Sequence, residues 1–325
     1  MAESDLEKYV FNDIDTLMAK KFGERYLSYR RSFSTPHLEP LMLPLHLDID
    51  VSDACNLSCA FCHQKYRKRS GIKIKIKYIK KAISESSTIL SAVNVGASCE
   101  PLLEKKLIEE TFLLCNEYNV MDTFLHTNAL LLDKSTSKFL IDVGLKHICI
   151  SIDASSKMTY KSMRSSNDYD LLMDNIFNFI ELRGNNPFPQ LRVSFCVTKM
   201  NYFEKNDFLG FWGNIADVVD FQQFRAVDGI DEDIYISQRE RKKETKCGAG
   251  LIRGMLWPNG NISACCAGWE DVTFGNIRIS HMKDIWNGEK ANELRKILSS
   301  GKAALLPKVC QMCLAGRSAF SQQDT

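Results

Sequence analysis

From residue 45 to about 225 the chain alternates apolar strand-like runs with helical patterns, and nothing else in it constrains the fold as strongly. Strands are predicted at 45–51, 91–96, 121–127, 146–152, 190–198 and 217–224. Helices are predicted between them near 76–90, 103–118, 134–142, 168–183 and 202–215. Strands separated by helices pair in parallel through crossovers, giving an α/β sheet. Near-continuous apolar runs such as His147-Ile148-Cys149-Ile150 predict strands buried on both faces. Six βα units are too few for a closed eight-stranded barrel.

A cysteine-rich loop directly follows the first strand. Cys55, Cys59 and Cys62 stand in a C-x3-C-x2-C run. Three thiolates on one loop can hold three irons of a [4Fe–4S] cluster and leave the fourth iron open to another ligand. An iron–sulfur protein that only carries electrons normally closes all four corners with Cys. Zinc is the alternative, but it needs a fourth ligand, and the adjacent His63 is badly placed to close the same loop. Four more cysteines, Cys247, Cys265 and the pair Cys310 and Cys313 in C-x2-C spacing, come later. Pro258-Asn259-Gly260-Asn261, a hairpin-turn signal, lies between the first two. Four thiolates of this kind can converge on one metal centre, as zinc or as a closed cluster.

Composition excludes several classes. A formal net charge of +2 gives no bulk electrostatic case for nucleic acid. No run of about 18 apolar residues is present, so no membrane span is predicted. The start Met1-Ala2-Glu3-Ser4-Asp5 is not a signal peptide. Twelve cysteines without a secretion signal then point to a reducing, cytoplasmic setting with metal sites. Residues 1–44 are expected as a helical leader, because Leu6, Val10, Ile14 and Leu17 recur at helical spacing. Residues 45–225 form the repeating βα domain, 226–246 a charged connector and 247–325 a second cysteine-bearing domain.

The cysteine spacing, Asn56-Leu57 after the first cysteine and Phe61 before the last resemble the radical S-adenosylmethionine (SAM) superfamily. The resemblance implies a partial (β/α)6 TIM-like barrel whose open iron chelates SAM. Reductive cleavage of SAM then yields a 5′-deoxyadenosyl radical. Further stations follow in the family's order. Gly96-Ala97-Ser98-Cys99-Glu100-Pro101 resembles the Gly-Gly-Glu-Pro station that meets the methionine ammonium, with Ala-Ser-Cys where glycine is usual. Thr127-Asn128 is similar to Thr-Asn-Gly, and Ser151-Ile152-Asp153-Ala154 to Ser-x-Asp-Gly/Ala. Arg164 resembles a family arginine suited to a carboxylate. Phe61 fits a position whose backbone approaches adenine, and Asn201 fits a common family position with no derivable role.

Beside such a core, the second cysteine set resembles the SPASM auxiliary-cluster region in its shorter twitch form. Phe274-Gly275-Asn276-Ile277 and Asp284-Ile285-Trp286-Asn287 match stretches of that region. No cysteine follows Cys313, so one fully Cys-ligated auxiliary [4Fe–4S] cluster is expected. The ligand spacing is similar to the twitch region of aminocyclitol-oxidising dehydrogenases. Such chemistry also implies an external electron donor, such as flavodoxin or ferredoxin, and a base near the substrate. Glu270 and Asp271, just past Cys265, are the candidates for that base.

Three functions follow. The 44-residue leader is short for a peptide-binding domain. This favours oxidation or epimerisation of a small polar molecule such as a sugar, aminocyclitol or nucleotide sugar. The basic run Lys65, Arg67, Lys68, Arg69, Lys73, Lys75 and Lys77 would steer a phosphorylated one. The alternatives are peptide maturation by crosslinking or epimerisation, and a non-enzymatic zinc-binding protein.

Overall fold

The computed structural model describes residues 7–34, 41–62, 70–223, 247, 249–266 and 272–315. Six parallel strands form its centre: β2 (His46–Ile49), β3 (Ala92–Val95), β4 (Asp122–Thr127), β5 (His147–Ser151), β6 (Gln190–Val197) and β7 (Val218–Gln223). They lie side by side in chain order. The intervening helices are α3 (Ile76–Ser86), α4 (Lys105–Glu117), α5 (Lys134–Asp142), α6 (Lys157–Arg164), α7 (Tyr169–Arg183) and α8 (Lys205–Trp212). The expected partial α/β barrel is therefore present. Helix α6 is an addition. Its sequence is too polar to signal a helix, and its start is fixed by Ser156, whose hydroxyl caps Thr159 N–H.

The leader differs from expectation. Glu7–Val10 is a strand, β1, pairing antiparallel with β7, and among the leader's described residues the helices are Asp15–Phe22 (α1) and Glu24–Ser34 (α2). An open sheet leaves the N–H and C=O groups of β7 unpaired, and β1 satisfies them. Helices α1 and α2 cover the opposite end of the barrel from the cysteine loop. Ile14, Met18, Tyr26 and Tyr29 pack with Leu45, Ala92 and Met121, which sit at the amino ends of β2, β3 and β4.

The other sheet edge is closed by the C-terminal region. After α9 (Ala249–Ile252), β8 (Arg253–Leu256) adds in parallel to β2. The hairpin to β9 (Asn261–Ser263) and then β10 (Thr273–Asn276) extend the same sheet antiparallel. Gly260 makes the predicted turn at φ +86°. The boundary expected after residue 225 thus separates two stretches that share one sheet, and the connector, 226–246, lies outside the described residues. Helices α10 (Met282–Trp286), α11 (Glu289–Ser300) and α12 (Lys308–Ala315) follow. No helix among the described residues is long and apolar enough to cross a membrane.

The strands are buried on both faces, but not by apolar residues on both. One face carries Leu47, Ile49, Val93, Val95, Leu125, Ile148, Ile150, Leu191, Val193, Phe195 and Phe221, all in the main apolar core. Register places His46, Asp48, Asn94, His126, Cys149, Ser151, Arg192, Ser194 and Asp220 on the other. Polar residues predominate there because that face lines the barrel's interior, although Ala92, Phe124 and Val218 share it.

The leader's role at the barrel floor gives a prediction. Met18→Ala should cost about 2–5 kcal/mol of stability, measured by denaturant unfolding. SAM cleavage below the unfolding temperature should be unaffected, and a large loss of cleavage at full stability would contradict this placement.

Candidate active site

The cysteine loop leaves β2 at the carboxyl end of the sheet and is fastened to two neighbouring loops and to the last turn of α6. Glu100 N–H donates to Ala54 O at 2.9 Å, and Ala60 N–H to Met163 O at 3.0 Å. Asn128 Nδ2 donates to Asn56 Oδ1 at 2.8 Å. Cys59 is buried, while Cys55 and Cys62 are half-buried. The Cys55 sulfur accepts Leu57 N–H at 3.5 Å, and the Cys59 sulfur accepts Arg164 Nη1–H at the same distance. N–H donors and a guanidinium beside the sulfurs suit thiolates that carry an anionic cluster. Among the described residues no three Cys, His, Asp or Glu side chains are drawn into a closed metal-ligand set.

The stations predicted at the strand ends converge, and much of their polarity is spent on one another. Gly96 has φ +91°, and a Cβ there would meet His126 O at 2.5 Å. The Glu100 carboxylate is buried and accepts from Leu102 N–H (3.0 Å), Thr127 Oγ1–H (2.7 Å) and Asn128 N–H (2.8 Å). Burial pushes its pKa up, against those donors. Glu100 thus ties the β3 and β4 loops together. Asp50 does the same one strand earlier. It accepts Ala97 N–H (2.8 Å) and Ser98 N–H (3.0 Å), with Cys99 Sγ at 3.6 Å. Its role is not written in any motif, yet it fixes the backbone where this chain departs from glycine.

On the far side, Asp153 sits at φ +64° and accepts Cys196 N–H at 2.6 Å. It pairs with Arg164, which also lies over the Phe61 ring at 5.5 Å. Burial works against the Arg164 charge, but Asp153 and Cys59 outweigh it. Ser151 is half-buried and 3.5 Å from Ser194 Oγ. Asn201 now has a role, because its amide donates to Asp153 O and Cys196 O, both at 2.9 Å, and so holds that turn. Glu204 is a second such hub, accepting from Ser155 N, Ser156 Oγ and Thr159 Oγ1 at the start of α6. Only tertiary placement reveals either.

The barrel interior below these stations is charge-paired. Asp48 is fully buried, accepts Asn94 Nδ2 at 2.7 Å and is gripped by Arg253 through Nε and Nη2. Burial would raise its pKa, but Arg253 and His46 hold it well below the usual range. Arg192 pairs with Asp220, which also accepts Gln222 Nε2–H at 2.8 Å. Deeper still, His147 stacks on Phe124 at 4.2 Å and bonds Asp122 (2.9 Å) and Gln190 (3.1 Å).

Of the second cysteine set, Cys247, Cys265 and Cys310 are half-buried, and Cys310 and Cys313 lie on α12. Cys247 and Cys310 pack against the main apolar core. The side chain of Cys313, the candidate bases Glu270 and Asp271, and residues 63–69 of the basic run lie outside the described residues.

Comparison with known proteins adds to this geometry. Residues 49–198 match the family described as the Radical SAM superfamily, and residues 247–314 match SPASM, an iron-sulfur cluster-binding domain. A probable GTP 3′,8-cyclase of Methanocaldococcus jannaschii is 25% identical over 55% of this chain and 58% of its own. This chain spans roughly half the length of the first curated relatives it matches: 58%, 42% and 48%. The subtilosin biosynthesis protein AlbA of Bacillus subtilis is 21% identical over 90% of this chain and 69% of its own. In fold, Streptococcus suis SuiB, solved with S-adenosylmethionine, superposes with a TM-score of 0.66 at 16% identity, covering 94% of this chain and 78% of SuiB.

Burial raises the Asp50 pKa from an ordinary 3.8 to about 6, against its two backbone donors. A raised folded pKa stabilises the fold fully below the unfolded value, and that contribution is lost as pH rises through about 6. Asp50→Asn should therefore flatten the fall in stability between pH 4 and 6 in denaturant unfolding. It should also weaken SAM binding roughly tenfold by loosening residues 97–99, measured by equilibrium dialysis. An unchanged pH slope would assign the titration to another group.

Proposed function

The chain belongs to the radical SAM superfamily and carries a SPASM iron–sulfur domain, and from that premise we propose that it acts on a small polar molecule held inside the barrel. A SAM-binding [4Fe–4S] cluster, SAM itself and auxiliary iron–sulfur binding come with these families. Both bind iron–sulfur centres, so the zinc-binding reading is dropped. When bound, the cluster and SAM supply a 5′-deoxyadenosyl radical that removes a hydrogen atom from the substrate.

The chain's own residues prepare that site. Cys55, Cys59 and Cys62 are the proposed ligands, with Arg164 balancing charge beside Cys59. Phe61, Gly96, Glu100, Thr127, Asn128, Ser151, Asp153 and Arg164 are the proposed walls of the SAM site. Glu100, Thr127 and Asn128 act by fixing the loops, since their polar atoms already bind one another. Cys247, Cys265, Cys310 and Cys313 are proposed to hold one auxiliary cluster, with Glu270 or Asp271 as base and a flavodoxin or ferredoxin as electron donor.

One observation carries the substrate class: the inner face of the sheet is lined by charge-balanced Asp48–Arg253 and Arg192–Asp220 couples, of which Arg253 and Arg192 keep partial exposure, as does Ser151. Fixed donor and acceptor pairs of balanced charge match the hydroxyl and amine groups of a sugar- or cyclitol-like molecule. Oxidation or epimerisation of such a molecule is the reaction proposed. Helices α1 and α2 are committed to the barrel floor, away from the site. Peptide maturation is the second reading, favoured by the match to AlbA across most of both chains.

Anaerobically reconstituted protein is expected to hold about eight irons per chain and to form 5′-deoxyadenosine with dithionite. A producer-cell extract split by size tests the substrate class. The small-molecule fraction should raise 5′-deoxyadenosine formation above the unstimulated rate, whereas stimulation by the peptide fraction alone would replace this reading with the second.

A further inference from the structure

We infer that His126 is the substrate-contacting residue of the barrel interior, hydrogen-bonding a hydroxyl or amine group of the bound small molecule; the inference rests on the small-substrate reading above. His126 lies on the inner face of β4, immediately before the Thr127-Asn128 station. One strand residue rises about 3.3 Å, so the imidazole sits a single step below the proposed SAM walls.

Its surroundings set it apart from every other polar group of that layer. Asp48, Asn94, Arg192, Asp220 and Arg253 all have partners within the protein. His147 is held from both ring nitrogens. His126 is half-buried, yet its imidazole makes no hydrogen bond, ion pair or ring contact with any described residue. In register it faces Cys149 of β5, on the inner face that also carries Asp48, Arg192 and Asp220.

Electrostatics decide what the ring can bind. Burial, then the charges of Arg192 and Arg253, push its pKa down to about 4, against the opposing pull of Asp48. At neutral pH the imidazole is uncharged, with one nitrogen donating and the other accepting. Such a ring pairs with a hydroxyl or neutral amine and offers no cation to a phosphate.

Two variants of the full, cluster-loaded protein separate contact from packing. His126→Gln keeps a neutral donor and acceptor, and His126→Phe keeps the ring volume alone. Iron content and SAM affinity report that each variant is folded and loaded. His126→Phe is expected to need roughly tenfold more of the stimulating small-molecule fraction for half-maximal 5′-deoxyadenosine formation, while His126→Gln stays near wild type. Diethyl pyrocarbonate, mapped by mass, should label His126 and spare His46 and His147. Wild-type response from His126→Phe, or loss from His126→Gln alone, would make the residue a packing element and overturn the inference. If wild type answers only to the peptide fraction, the small-substrate reading falls, and the same two variants read on that fraction decide the His126 contact separately.

Discussion

A carboxylate with no exposure to water, Asp48, is the fixed point of this molecule. Burying such a charge costs several kcal/mol unless it is paired and fully hydrogen-bonded. Here the pairing comes from Arg253, beyond the connector, and from Asn94 on the next strand. The same contact that neutralises the charge therefore joins β8 to β2, and with it the cluster-binding C-terminal region to the barrel. The barrel and the C-terminal region that matches SPASM share one sheet because a buried charge in the barrel demands its partner.

The loops above that sheet follow a similar logic at smaller scale. Asp50 and Glu100 are acceptors that collect backbone N–H groups from the following loop, and each lies buried at a strand end. Each thereby converts a flexible turn into a defined wall. Asn201 and Glu204 repeat the device around Asp153 and α6. Preorganisation of this kind lets a site hold a reactive species without spending binding energy on ordering its own walls.

How much of this was legible in the sequence depends on which face of each element speaks. The six strands and five of their helices were readable because their outward faces are apolar and recur with regular spacing. The cysteine loop was readable because its ligands are local. The polar inner face was not, since Asp48 and Arg253 declare nothing until register brings them together. Strand β8 reads Arg-Gly-Met-Leu and has no periodicity to offer. Strand β1 escapes the pattern because the spacing of Leu6, Val10, Ile14 and Leu17 reads as one helix, whereas Glu7–Val10 forms a strand and the helix begins only at Asp15.

Strand β1 also bears on how the molecule assembles. Glu7 pairs with Phe221 and Val10 with Val218, so a segment made early in synthesis finds its partner only after the whole barrel has emerged. Contacts of such long sequence separation form late, because the intervening chain must be ordered before they stabilise anything. Until then the edge of β7 stands open to strands from other chains. Yield of this protein at high expression should thus be governed by how quickly its first strand closes the last.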